Sequence, residues 1–137
     1  MPRTASKIKK DYRLRYGHKH QLYTLDLNLE LGQKLLKELV QNPNIKNSIL
    51  NTLIAYNAGI TRLKKWNQTI NESDPLAYIE SIPIKETRMF VKYILTDLWI
   101  YRDKLGQSKP TRNMLAEDKW PNIPNQDFLI MRDAKLR

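Results

Sequence analysis

Ala55-Tyr56-Asn57-Ala58-Gly59 closes an apolar run that begins at Ser48, and the reading of this run decides the fold. Ile49, Leu50, Leu53 and Ile54 recur at the three- and four-residue steps of one helix face. Ser48 has the side chain of an N-cap, and Gly59 stands where a left-handed residue is expected after a helix end. The spacing therefore predicts a buried helix over residues 48–57, with Tyr56 and Asn57 at its C-terminal end.

Downstream, Leu63 and Trp66 predict a shorter helix over residues 61–66, followed by a polar loop over residues 67–73. Asp74-Pro75 starts another short helix through Glu80, because Asp caps well and Pro suits the first helical position. Ile82-Pro83 breaks it. Residues 86–105 form the longest segment, apolar on more than one face from Phe90 to Tyr101, and are read as a central helix. Upstream, Leu27, Leu31, Leu35 and Leu39, with Leu36 and Val40 beside them, predict a helix over residues 26–41 capped by Asp26. Residues 1–20 hold few aliphatics. A helical turn or two is expected over residues 6–15, and a loop over residues 16–20. Residues 106–137 are interrupted by Pro110, Pro121 and Pro124, and their one long apolar run is Phe128-Leu129-Ile130-Met131. They are read as an irregular C-terminal extension. The fold class is all-α, with residues 1–105 as the domain and 106–137 as the extension.

The 137 residues suffice for one domain or part of one. Mean hydropathy is -0.62, polar but short of disorder because the apolar residues cluster. The chain has no cysteine, which excludes disulfides and thiolate ligands. No apolar run approaches a membrane span, and no apolar stretch follows the basic Met1–Lys10 segment, so no signal peptide is read. The net charge is +10, and Arg3, Lys7, Lys9, Lys10, Arg13, Arg15 and Lys19 face only Asp11 within the first twenty residues. Such an excess suits anionic polymers, or is simply a solvated terminus. His18 and His20 have the spacing of a loop metal site but too few companions to complete one.

Several motifs now line up in order. Met1-Pro2-x-Thr4-Ala5 is followed by Asn28-x-x-x-Gly32-x-x-x-Leu36, then by Ala55-Tyr56-Asn57-Ala58-Gly59 with Trp66 seven residues after the glycine. Ile82-Pro83-x-x-Glu86-Thr87-Arg88-x-Phe90-Val91 and Tyr101-Arg102 complete the set. This series resembles the C-terminal half of the catalytic domain of the soluble lytic murein transglycosylases. Two positions depart from the family pattern: Leu35 replaces a usual Tyr, and Ile60 replaces a usual Pro or Ser.

The resemblance implies a lysozyme-like transglycosylase fold acting on peptidoglycan glycan strands in the periplasm or cell envelope, with no cofactor and no metal. In that family one glutamate protonates the glycosidic oxygen and then helps the muramic 6-hydroxyl attack its own anomeric carbon. That glutamate lies in a segment before the Met-Pro-x-Thr-Ala element. None of the 14 carboxylates of this chain fits its motif. The expectation is an N-terminally truncated domain with no catalytic residue of its own, leaving open a second polypeptide that supplies the absent helices. Tyr56, Asn57 and Glu86 are the substrate-binding candidates the resemblance implies. Tyr56 would line the cleft. Asn57 would hold the turn or donate to an acetamido group. Glu86 would accept from sugar or stem peptide. Arg88 is expected to brace the helix start through a carboxylate. Glu86 is also the one carboxylate that could stand in as a displaced acid, if an apolar pocket kept it protonated. The alternative is a non-catalytic basic module for wall polymer or, ranked last, nucleic acid, since no helix-turn-helix or stacking pattern supports specific readout.

Overall fold

Pro2 lacks the N–H that a first helical residue would leave unpaired anyway, and α1 runs from it, Pro2–Lys9. This helix starts earlier than the sequence spacing predicts, because the buried residue of its first turns is the small Ala5 rather than an aliphatic. Lys10, at φ 55°, ends it in the left-handed conformation. The computed structural model describes residues 2–123, the side chain of Lys19 excepted. Among them are seven α-helices and no strand. The chain forms two compact units, Met1–Asn42 and Pro43–Arg137.

In the first unit the Asp11 carboxylate accepts from the Arg13 backbone N–H at 3.0 Å and from its guanidinium at 2.9 Å. This pair opens a 3-10 turn over Tyr12–Arg15 that buries Leu14, and holds the Asp11 carboxyl below the usual range. A second 3-10 turn, Lys19–Tyr23, begins within the loop expected over residues 16–20 and runs past it. Helix α2 spans Leu25–Val40. Its cap position is Thr24 and not Asp26. The Thr24 hydroxyl donates to Gln21 O at 2.7 Å, tying the helix to the turn before it. Asp26 sits in the first turn, where its charge suits the N-terminal end of the helix dipole. Ala5, Leu14 and Leu31 form the core of this unit, with Ile8, Leu22 and Leu27 packed around them. On its surface, Glu30 accepts from Lys34 at 2.6 Å and from Lys9 at 3.0 Å. Those two cations hold its carboxyl below the ordinary range.

The second unit begins with a 3-10 turn, Pro43–Ile45, followed by α3, Ile49–Ala58. Ser48 caps α3 as its sequence predicts, accepting from Asn51 N–H at 3.3 Å. Gly59 then has φ 89° and ψ 152°. The positive φ is the expected one. The ψ is not that of a left-handed turn but of a region essentially confined to glycine, and it lets one residue end α3 and start α4, Ile60–Thr69. Helix α5, Pro75–Glu80, has its Asp74 cap accepting from Leu76 N–H at 2.8 Å. Helix α6 spans Lys85–Lys104 and packs against α3 and α5.

Thr87, Val91, Leu95 and Arg102 are the buried residues of α6, so one face goes inward. The expected second apolar face, with Tyr93, Ile100 and Tyr101, is exposed. Within residues 106–123 the extension contains α7, Pro110–Ala116. It is tied back by Ile49 N–H to Pro121 O at 3.1 Å and Ile123 N–H to Asn47 O at 2.8 Å. The Phe128–Met131 run lies outside the described residues. Tyr78 is buried, donates to Asn67 Oδ1, and meets the Trp120 ring edge-on at 5.0 Å. Burial pushes its hydroxyl up to about 12.

Candidate functional site

Two adjacent residues at the end of α3, Tyr56 and Asn57, meet two residues one turn apart near the start of α6, Phe90 and Thr87. The Thr87 hydroxyl donates to Asn57 Oδ1 at 2.7 Å, and Thr87 is 1% exposed. A buried side-chain bond of this kind is expensive to leave half-made, on the order of 1–3 kcal/mol, so it fixes the two helix ends against each other. One turn further along α6, Phe90 lies parallel to Tyr56, with ring centroids 6.2 Å apart and planes inclined by 5°. That separation is at the wide end of the range in which offset aromatic pairs attract.

Glu86 and Phe90 are four residues apart on α6, hence on one face. Phe90 carries Tyr56 on that face, so the Glu86 carboxylate and the Tyr56 ring belong to the same flank of the α3–α6 junction. Tyr56 is half-buried and Glu86 is exposed. Neither the Tyr56 hydroxyl nor the Glu86 carboxylate has a hydrogen-bond or ionic partner among the described residues. The Asn57 oxygen is engaged by Thr87, while its Nδ2 has no partner among those residues. The junction thus brings together the three residues singled out from the sequence. It presents one hydroxyl, one carboxylate and one amide N–H pair.

Arg88 does brace the start of α6, but not through a carboxylate. Its Nη1 donates to Ile82 O at 2.8 Å and to Glu80 O at 3.3 Å. The carbonyls left over at the end of α5 are what a guanidinium there can satisfy. Sequence reasoning did not single out Thr87 or Phe90 as partners of the site. The signal was there: Thr87 is the middle residue of Glu86-Thr87-Arg88, and Phe90 stands one turn from Glu86.

A general acid for glycoside cleavage needs a carboxyl enclosed by apolar surface. Glu86 is exposed and does not meet that requirement. Among the described residues no group of three or more His, Asp or Glu side chains could hold a metal ion, and the His18 and His20 rings stand 6.0 Å apart. No helix among them is long and apolar enough to cross a membrane.

The profile of the Transglycosylase SLT domain family matches residues 1–79. The soluble lytic murein transglycosylase of Escherichia coli (strain K12) is 32% identical over 122 residues, covering 88% of this chain and 18% of that protein. The protein of the same name from Salmonella typhimurium (strain LT2) is 30% identical over 122 residues, with the same coverage. The chain therefore spans about a fifth of the length of these relatives. No solved structure gives a significant match. With more than half of its residues under the family profile, and two relatives of one name aligned over most of the rest, the chain belongs to the Transglycosylase SLT domain family.

Proposed function

We propose that this chain acts on, or derives from a protein that acts on, the glycan strands of peptidoglycan, in the periplasm or cell envelope. In this reading its α3–α6 junction forms one wall of a lytic-transglycosylase-like cleft. The observation that carries this reading is the pinned pair of helix ends, which leaves the Tyr56 hydroxyl and the Glu86 carboxylate unpartnered on one flank. Tyr56 orients the acid or a sugar substituent, Glu86 accepts from sugar hydroxyl or stem-peptide N–H, and Asn57 Nδ2 donates to an acetamido carbonyl. In this reading the acid is supplied by another segment, of the same or a second polypeptide, because none of the 14 carboxylates has the motif and none among the described residues is enclosed.

Co-sedimentation with purified sacculi tests this. Retention of the chain is expected, reduced several-fold by Tyr56→Phe and by Glu86→Gln, with thermal midpoints unchanged. Equal retention of wild type and both variants would remove the junction from the account.

A second reading has one observation in its favour. Arg3, Lys7, Lys10 and Arg15 are exposed on the first unit, as are Tyr12, Tyr16 and Tyr23, and Arg15 lies 5.2 Å over the Tyr16 ring. A basic and aromatic surface of this kind suits a non-catalytic module for an anionic wall polymer or nucleic acid. Retention carried by that surface falls steeply with salt, whereas retention carried by Tyr56 and Glu86 does not.

A further inference from the structure

Helix α6 carries a second stripe, on the side turned away from the buried Thr87, Val91, Leu95 and Arg102. Glu86, Phe90, Tyr93, Asp97, Ile100 and Lys104 follow one another along it in steps of four and three residues. Such alternating steps keep side chains in one row. Phe90 is half-buried against Tyr56, and the rest of the row is exposed, Tyr93 at 61% and Ile100 at 48%. Tyr101 flanks Ile100 and is 65% exposed. Apolar side chains ranked in one row form a patch rather than scattered exposures. Lys92 and Asp103, elsewhere on this helix, have ion-pair partners in Glu80 and Lys109. Glu86, Asp97 and Lys104 form no ion pair among the described residues.

The order of the row is its own complement. Glu86 and Lys104 lie equally far from position 95 in opposite directions, and so do Phe90 and Ile100, and Tyr93 and Asp97. A second α6 laid antiparallel on the first, with a two-fold axis at the level of residue 95, therefore joins unlike partners at every step. The Glu86 carboxylate meets the Lys104 ammonium of the second copy, Phe90 packs on Ile100, and the Tyr93 hydroxyl donates to the Asp97 carboxylate. Symmetry makes each contact twice.

The alternatives are worse. A parallel pair in register sets Glu86 on Glu86, Asp97 on Asp97 and Lys104 on Lys104, each a repulsion. An antiparallel pair slipped by one heptad sets Glu86 against Asp97 in one direction and Asp97 against Ile100 in the other. The charges select both the orientation and the register.

We infer that the exposed stripe of α6 docks a second copy of this chain, packed antiparallel about residue 95. One pair of helices about 30 Å long falls short of the roughly 800 Å2 per partner of a standard interface, so the dimer is weak and separates on dilution. The inference goes beyond the glycan reading and does not rest on it. Both engage Glu86, so the dimer occupies the junction that the glycan reading assigns to the wall.

Sedimentation equilibrium of the full chain in low salt, between about 5 and about 500 μM, is the test. A monomer–dimer equilibrium is expected. Glu86→Lys and Lys104→Glu should each weaken the dimer about tenfold, because each turns two attractions into two repulsions. The double reversal, Glu86→Lys with Lys104→Glu, should restore it. That rescue separates loss of pairing from damage to the helix. A monomer throughout the range would overturn the inference. So would a dimer indifferent to both reversals, or one the double reversal fails to restore. A monomer that binds one added peptide bearing the family's glutamate segment, and loses it on Ile100→Glu, would assign the stripe to another segment and overturn the second copy. Retention on sacculi is read separately on the dilute monomer, so failure of the glycan reading leaves this result standing.

Discussion

In residues 43–137, the aliphatic side chains of Ile45, Leu50, Ile54, Leu63, Ile82 and Val91 have no exposed surface at all. In residues 1–42 the buried hydrophobics are Ala5, Leu14, Leu31 and Leu39, the first three joined by three partly buried neighbours, while Tyr12, Tyr16, Tyr23, Leu25 and Leu29 stand in solvent. Both units are helical, so secondary structure does not separate them. The amount of apolar surface removed from water does, at about 25 cal/mol per Å2. A unit of 42 residues is also near the size below which a single core seldom suffices. The pinned α3–α6 junction belongs to the well-packed unit, and the basic, aromatic surface to the thinly packed one. Preorganised recognition is expected from the first and salt-dependent attraction from the second.

This contrast breaks if core changes in the two units cost the same. Ile54→Ala removes a fully buried side chain and should cost about 2–5 kcal/mol of global stability in urea denaturation. Leu14→Ala should instead raise hydrogen exchange only within residues 1–42, leaving the protection of α3 and α6 intact. A smaller effect sharpens the account of the junction. Thr87→Val leaves Asn57 Oδ1 without its donor and should cost about 1–3 kcal/mol. Tyr56→Phe, whose hydroxyl has no partner among the described residues, should stay within about 0.5 kcal/mol.

The remaining effects are titrations. Tyr78 holds its proton more tightly folded, to about 12, than unfolded, at about 10. Its contribution is therefore fully present below pH about 10 and is lost as pH rises toward about 12. Urea midpoints between pH 9 and 12 should fall, and Tyr78→Phe should flatten that fall. Glu30 has the opposite sign. Its carboxyl is lowered by Lys34 and Lys9, so its contribution is present above the usual carboxylate range and is lost as pH drops through the lowered value. Hydrogen exchange in residues 1–42 should rise there. High salt at neutral pH should reproduce part of the effect, and Glu30→Gln should remove it. This is the smallest effect expected, since the pair is at the surface.

What was legible in the sequence follows from how local each signal is. Asp74-Pro75 marks the start of α5 with a cap and a first-turn proline, and Ile82-Pro83 lies just past its end, so that helix was read with its bounds. The Ser48 cap and the positive φ of Gly59 are equally local. The start of helix α1 was misplaced because its one fully buried residue is an alanine, and periodicity counts aliphatics. Asp26 was read as a cap from residue type, whereas Thr24 holds the position through a bond to the turn before it. Tyr56, Asn57 and Glu86 were singled out through motif resemblance. Their joining by Thr87 spans 30 residues and could not be read from spacing. The place of Trp120 against Tyr78 is less legible still, because its indole reaches Ser73 from 47 residues away.

The central claim is that these residues position a glycan strand and leave proton transfer to a carboxylate outside them. Mass spectrometry of the soluble products released from sacculi tests it most directly, with the purified, folded chain as the only added protein. The account predicts no 1,6-anhydromuropeptides above the buffer blank, and their release once a peptide bearing the family's glutamate segment is added. Anhydromuropeptides from the chain alone, abolished by Glu86→Gln, would contradict it and make Glu86 the acid.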